Sequence, residues 1–337
     1  MRQGHINLKR IAQKAGVDVS TVSRALNNDP RVKSDTVTYI KEMADEMGYF
    51  PNALARSLVT KKTNTIGVVT PSLRNPFYSS ILAGAEERLA KAGYSLLLGV
   101  SHYLTKDEKQ VIDLFLSWKV DGMIVLSGTD SEFASVWRRH SDAPIVLVDQ
   151  YNDVAMLDSI MCDIGYGVKL VVEYLAGLGH RQIGYVTDTI TDIKRLDYFK
   201  KEAEQLEIDY TGFSITTEKQ YEEGGYEATL GLLKRRNMPT ALFYANDYMA
   251  IGGMKALHDN KLSVPNDISV VGYDDSVLLD YLINSLTTVR QPTKLLGTRS
   301  ADILLERLSD GGGGPYQKVL LLPELVLRGS TGPHIAK

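Results

Sequence analysis

At 337 residues the chain is too long for one ordinary domain and large enough to bury substantial cores, so two or three domains are expected. Its start, MRQGHINLKR, holds no apolar run, and nowhere do eighteen apolar residues follow one another; this argues against a secretory signal or a membrane span and predicts a cytoplasmic protein. The formal charge of −3 conceals an asymmetry: residues 1–62 carry 11 Lys+Arg against 6 Asp+Glu, a net of +5, and the remainder carries a net of −8, as attraction to phosphate at one end would require.

The basic end is organised around LKRIAQKAGVDVSTVSRALN. Leu8, Ile11, Ala12 and Ala15 recur at helical spacing, with Asn7 placed to cap the start and Gly16 to allow a tight turn. Asp18 is expected to cap a second helix whose Val22 and Leu26 face inward, leaving Val19, Ser20, Ser23 and Arg24 outside. Short side chains, hydroxyls and an arginine at an exposed helix start suit the major groove of DNA: Val19 can meet a thymine methyl, Arg24 a guanine, and hydroxyls such as Ser20 and Thr21 can reach phosphate. A third helix begins at Ser34 or Asp35 and closes at Gly48, completing a three-helix core. Residues 53–59 then offer about two helical turns, too few to be stable alone in water; they are expected to fold only against DNA and a second copy.

From Thr65 onward strands alternate with helices, the pattern of parallel α/β sheets. Strands are predicted at 66–69, 96–98, 123–126 and 145–148, and a second set beginning near Ile164 places others at 183–186, 241–244 and 268–271. The helix predicted at 292–309 and the strand pair at 319–327 are left to complete both sheets after crossing between lobes. Gly311–Gly314 is a flexible loop and no phosphate cradle, since no Gly-Lys-Ser/Thr follows. Cys162, the single cysteine, rules out an internal disulfide and reads as a small buried apolar residue. The histidines show no metal-ligand spacing and read mostly as surface or loop residues.

Ligands of open α/β sheets bind beyond the carboxyl ends of strands. Asp149, Asn246-Asp247 and Asp274-Asp275 all fall there, where carboxylates and amides can bind vicinal hydroxyls. Arg195 offers a planar fork of donors, Phe77, Tyr78 and Tyr221 flat faces for a ring, and Ser101 and Ser127 further strand-end hydroxyls. Simpler roles compete: Asp247 as a helix cap, Asp275 as a loop brace, Arg195 paired with Asp197 or Glu202, and Phe77 and Tyr78 as core aromatics.

The stretches AGVDVSTVSRALNN and MGYFPNALARSL, and in the body AGLGHRQIGYV, PTALFYANDYMAIGGMKAL and VPNDISVVGYDD, resemble the lactose/galactose repressor (LacI/GalR) family over nearly the whole chain. The resemblance implies a helix-turn-helix head, a hinge helix that enters the minor groove, and a body like the sugar-binding proteins of bacterial uptake systems. It places Asn7, Val19, Ser20, Thr21, Ser23, Arg24 and Asn27 at DNA, with Ala55 and Arg56 in the hinge and Leu58 as a wedge between base steps. Asp149, Arg195, Asn246 and Asp274 match effector-binding positions, and Gln291 lies at the lobe crossing. The sequence departs from the family's pattern at Arg10, Asp18, Tyr198 and Gln220, which leaves the effector harder to name.

The expected fold is therefore α/β: a head at 1–49, a hinge and linker at 50–64, one Rossmann-like lobe from 65–161 plus 292–322, a second from 162–291 plus 323–331, and a tail at 332–337. The expected function is a transcription regulator, acting as a homodimer on a near-palindromic operator and controlled by a sugar or sugar derivative, with no cofactor, metal or membrane partner. A protein co-regulator is the alternative effector. No heptad repeat follows Arg328, so no coiled coil for tetramers is expected. Two other classes use the same cleft: a glycoside-cleaving enzyme with Asp149 and Asp274 as its carboxylates, and a free sugar-binding protein.

Overall fold

The computed structural model describes residues 6–50, 57, 60–126, 132–149, 157–190, 193–276, 279, 285–310 and 313–334. The chain forms two compact units, residues 1–63 and 64–337. In the first, helices α1 (Leu8–Ala15), α2 (Val19–Leu26) and α3 (Ser34–Glu46) enclose Ile11, Ala12, Val22, Ala25, Ile40, Met43 and Ala44. Asn7 caps α1, its Oδ1 accepting from the Arg10 N–H at 3.1 Å. Gly16 ends α1 at φ +68°, and a Cβ there would meet nothing within 4 Å. The turn therefore demands glycine for its left-handed backbone, not for room.

Two local expectations change. Asp18 occupies the cap position of α2 but its side chain makes no cap bond; its backbone carbonyl alone starts the helix, accepting from Thr21 and Val22. Ser34 is already inside α3, with Lys33 at the cap. Leu26 packs against the core as expected, half-buried, and Ala25, not anticipated, joins Val22 as a fully inward residue of α2.

The larger unit holds two sheets. One joins β1 (Thr65–Thr70), β2 (Ser95–Val100), β3 (Gly122–Leu126), β4 (Ile145–Val148), β5 (Asp158–Cys162) and β11 (Lys318–Leu321), all parallel, in the order β11-β5-β4-β3-β1-β2. Strand alternation sorts its side chains to two cores. Val68, Ile124, Leu126, Val146 and Val148 face α4 (Pro76–Lys91) and α11 (Thr293–Ser309); Val69, Met123, Val125, Ile145 and Leu147 face α5 (Thr105–Trp118) and Trp137 of α6 (Glu132–His140). The α4–α11 crossing is close: a Cβ on Gly297 would stand 2.0 Å from the Ile81 carbonyl, and one on Gly84 2.3 Å from that of Lys294.

The second sheet joins β6 (Ile183–Asp188), β7 (Ile215–Thr217), β8 (Ala241–Tyr244), β9 (Ser269–Asp274), β10 (Thr287–Arg290) and β12 (Glu324–Val326) in the order β12-β10-β9-β8-β6-β7, with only the β10–β12 pair antiparallel. Helices α7 (Ile164–Gly177), α8 (Ile193–Gln205), α9 (Tyr221–Leu233) and α10 (Asp247–Asp259) accompany it. The chain passes between sheets three times: from β5 to α7 at Asp163, from β10 to α11 at Gln291-Pro292, and from β11 to β12 at Leu322-Pro323. No described helix is long and apolar enough to cross a membrane.

His180, unlike the surface or loop position expected of most of the histidines, is 3% exposed. Its ring meets Thr240 Oγ1 at 2.8 Å, Ser269 Oγ at 3.1 Å and the Gly332 carbonyl at 3.1 Å, and it stacks on His334. It ties the chain's last described segment to the second sheet, and burial lowers its pKa.

Candidate functional site

In the first unit Val22 and Ala25 anchor α2, which turns the opposite face outward. Val19 is 39% exposed, Ser20, Arg24 and Asn27 are exposed, and Thr21 and Ser23 are half-buried. Asn27 is held by its own helix, donating from Nδ2 to the Ser23 carbonyl at 2.9 Å. Elsewhere in this unit Arg31 is spent on Asp29, at 2.6 Å, and holds that carboxyl well below its usual range. The sequence-predicted residues Ala55, Arg56 and Leu58 lie outside the described residues.

In the second unit the carboxyl ends of the two sheets face one another. Cys162, at the end of β5, has its thiol pushed up to about 12, chiefly by burial and next by Asp149 and Asp163, with Arg195 of α8 opposing them. Residues of both lobes therefore share one electrostatic neighbourhood. The lobes also touch: Ser72 Oγ, after β1, lies 3.1 Å from the Tyr221 hydroxyl, and Arg74 bonds Glu222 at 2.8 Å while its guanidinium sits 4.6 Å from the Tyr221 ring centroid. Tyr221 takes φ +56°, a left-handed conformation rare for an aromatic. Such strain concentrates where a site must hold a side chain in one place.

Arg195 reaches out of its helix: Nη1 donates to the Ala245 carbonyl and the guanidinium lies 4.3 Å from the Tyr273 ring centroid. Asn246, not Asp247, caps α10, with its Oδ1 accepting from the Met249 N–H at 2.9 Å. Asp247 instead points into the fold, where it accepts from Thr288 Oγ1 at 2.6 Å and the Ser276 N–H at 2.7 Å. Full burial, then the nearby Asp274, push its carboxyl up to about 8, against the pull of those bonds. Asp274 accepts from Gln291 Nε2 at 2.8 Å, which ties the strand end to the lobe crossing. Asp275 pairs with Arg290 and Arg328 and braces its loop.

Asp149, Arg195, Tyr221, Asn246, Asp274 and Gln291 thus stand at this end of the sheets, whereas Ser127 lies outside the described residues. Ser101 follows β2, is 1% exposed, and its N–H donates to the Thr70 carbonyl at 2.9 Å. Phe77 and Tyr78 pack into the first lobe's core, and Tyr78 extends from it to meet Tyr103 edge-on at 6.4 Å between centroids. Sequence reasoning missed Ser72, Arg74, Tyr103 and Glu222. The first three follow β1 and β2 at their carboxyl ends, so the strand-end rule applied to every strand would have found them. Among the described residues no three His, Cys, Asp or Glu side chains are grouped to hold a metal ion.

A three-helix head with an outward polar helix, joined in sequence to a hinged two-lobe body, defines a ligand-responsive DNA-binding class. Residues 7–52 match the description "Bacterial regulatory proteins, lacI family", and residues 172–331 match "Periplasmic binding protein-like domain". The chain is 32% identical to the HTH-type transcriptional regulator DegA of Bacillus subtilis, over 96% of this chain and 97% of that one. It is 31% identical to the ribose operon repressor of Escherichia coli, over 96% and 99%. Among solved structures it matches the lac repressor dimer bound to operator and the anti-inducer ONPF, with a TM-score of 0.88 and 31% identity over 97% and 99% of the two chains. A LacI family regulator from Enterococcus faecium with bound ribose matches with a TM-score of 0.73 and 27% identity, over 80% of this chain and all of that one. The chain belongs to the LacI family of bacterial transcription regulators.

Proposed function

We propose that this regulator is a repressor that binds a near-palindromic operator as a homodimer and is controlled by a sugar held between its lobes. The observation that carries the reading is α2, anchored by Val22 and Ala25 and exposing Val19, Ser20, Arg24 and Asn27 on a head of net basic charge. Asn7, Thr21 and Ser23 would support it at phosphate, and Ala55, Arg56 and Leu58 would enter the minor groove. Asp149, Arg195, Tyr221, Asn246, Asp274 and Gln291 would hold the effector, with Phe77, Tyr78, Ser101 and Ser127 around them. The relatives named for ribose, and the neighbour with ribose bound, support a sugar. A protein partner is the alternative effector. Such a protein works in the cytoplasm, beside its DNA.

The reading gives the cleft no chemical step. The carboxyl with the raised pKa, Asp247, is 0% exposed and already engaged by Thr288 and Ser276, so it is not placed to protonate a glycosidic oxygen. The function is tested by selecting operator sequences from a random DNA pool with the full-length protein, then measuring binding with and without a sugar panel. An enriched palindrome whose affinity changes with one sugar is the expected result. Arg24→Ala should cost about 1–3 kcal/mol at one base position of each half-site and relax the preference there. A uniform loss across all sequences would reassign Arg24 to phosphate.

A further inference from the structure

The segment 318–326 runs along an edge of both sheets: among the described strands β11 has a neighbour on one side only, β5, and β12 on one side only, β10. The Ser159 and Asp163 N–H groups donate to the carbonyls of Gln317 and Leu321. The odd-numbered residues of β11 therefore turn their backbone groups to β5, and the even-numbered ones, Lys318 and Leu320, turn theirs away from the sheet. Side chains alternate as well: Val319 and Leu321 pack on the core beside α4 and α11, while Leu320 and Leu322 stand on the opposite face, 55% and 63% exposed. An open strand edge with bare leucines is a template for another strand, and folded proteins commonly blunt such edges with lysine or proline.

Both blunting residues stand here, and neither bars a partner of matching charge. Pro323 falls on the parity whose N–H would face inward, so its missing donor takes nothing from the open edge. Lys318 repels a strand unless an acid stands opposite it, and the chain itself supplies that acid. In an antiparallel pairing of two copies centred on Leu321, Leu320 exchanges backbone bonds with the partner's Leu322, and Lys318 stands opposite the partner's Glu324; a pairing centred on Leu320 would set Lys318 against leucine. Glu324 already accepts from Arg290 at 2.8 Å, and its side chain stays 64% exposed, open to a second cation. The opposite edge of the first sheet, at β2 and α5, exposes Leu98, Leu104, Leu114 and Trp118, a broader apolar face that is left for the operator-binding dimer.

We propose that the β11 edge is an interaction surface for a second copy of this chain, paired antiparallel about a two-fold axis at Leu321, and that it joins one operator-binding dimer to the next without a coiled coil. The inference goes beyond the homodimer reading and needs it only for the unit that is joined. Each dimer carries two such edges, so assembly proceeds in steps of one dimer. A pairing this short buries little area, which makes it weak, with association at about 10–100 µM protein.

The test is sedimentation velocity of the full-length protein from about 1 to about 100 µM. Dimer should give way to tetramer and larger species as the concentration rises. Leu320→Asp, at an exposed site, should hold the protein at the dimer throughout, with its circular dichroism spectrum and operator affinity retained. Lys318→Glu should raise the concentration needed about fivefold or more, and Lys318→Glu combined with Glu324→Lys should restore it, because opposite charges face one another again. A wild-type protein that stays dimeric over the whole range overturns the inference and leaves the homodimer standing. So does association that survives Leu320→Asp, or a charge swap that restores nothing. Monomers from Leu320→Asp would assign the edge to the operator-binding dimer itself and overturn the joining of dimers. If the wild-type protein is monomeric throughout, the homodimer reading falls and this inference falls with it.

Discussion

Asp247 shows how one residue can read correctly as structural and still be misassigned in detail. It stands where a helix cap is expected, but Asn246, one residue earlier, fills that role, and Asp247 turns inward against Gly272, where a Cβ would lie 2.3 Å from its Oδ1. The fold holds its proton up to about pH 8, whereas the unfolded chain releases it at the ordinary value of 3.8. Its contribution to stability is therefore fully present below the unfolded value and is lost as pH rises towards 8. Asp247→Asn keeps an acceptor for Ser276 and lets Thr288 accept in turn, so it should remove that slope. Urea unfolding of both proteins between pH 5 and 9 checks this: the stability of the variant relative to the parent should rise with pH and level off above about 8. A constant difference would mean that Asp247 is ionised throughout.

At the scale of elements, the strands that sequence reasoning found are the apolar ones, while β5, β7 and β10 went unread. β5 opens with Asp158, acceptable inside because Arg307 grips both its oxygens at 2.8 Å from 149 residues away and the Gln317 N–H donates to Oδ1. β10 opens with Thr287 and Thr288, whose hydroxyls are satisfied by Arg328 and Asp247. β7 is three residues long and pairs at the sheet edge. Partners distant in sequence leave no periodic signal, and the same holds for the site: strand ends were legible, but the contacts from Ser72 and Arg74 to Tyr221 and Glu222 were not. Helix packing yields a sharper contrast. α9 and α10 cross where a Cβ on Gly225 would lie 1.9 Å from the Met249 carbonyl and one on Gly252 1.9 Å from that of Glu222, while Gly231 in α9 meets only Ile215, at 3.5 Å. Gly252→Ala should destabilise the protein by about 1–3 kcal/mol through overpacking, and Gly231→Ala should stabilise it by roughly 0.5–1 kcal/mol through helix propensity. Chemical denaturation of the two variants separates steric from conformational use of glycine.

For the whole molecule, the ion pair that joins the lobes is open to solvent. Arg74 and Glu222 are 65% and 40% exposed, so their ion pair contributes at most about 1 kcal/mol. That magnitude suits a closure that must reverse: a stronger bond would hold the lobes shut whether or not ligand was present. Arg74→Ala also removes the cation from the face of Tyr221. It should speed effector dissociation a few-fold by stopped-flow, with a small effect on association. An unchanged dissociation rate would show that the pair does not restrain the closed lobes.

The three passages between the sheets also set the order in which the protein can come into being. The head has all its parts once about fifty residues have left the ribosome, but the first lobe lacks α11 and β11 until residue 321 and the second lacks β12 until residue 326. At roughly 5–20 residues per second, a nascent chain presents a finished reading head on the order of tens of seconds before either regulatory lobe can close. The position of a lesion in the gene accordingly says little about which lobe it breaks: a stop codon near residue 300 strips strands from both lobes at once, and leaves the head intact.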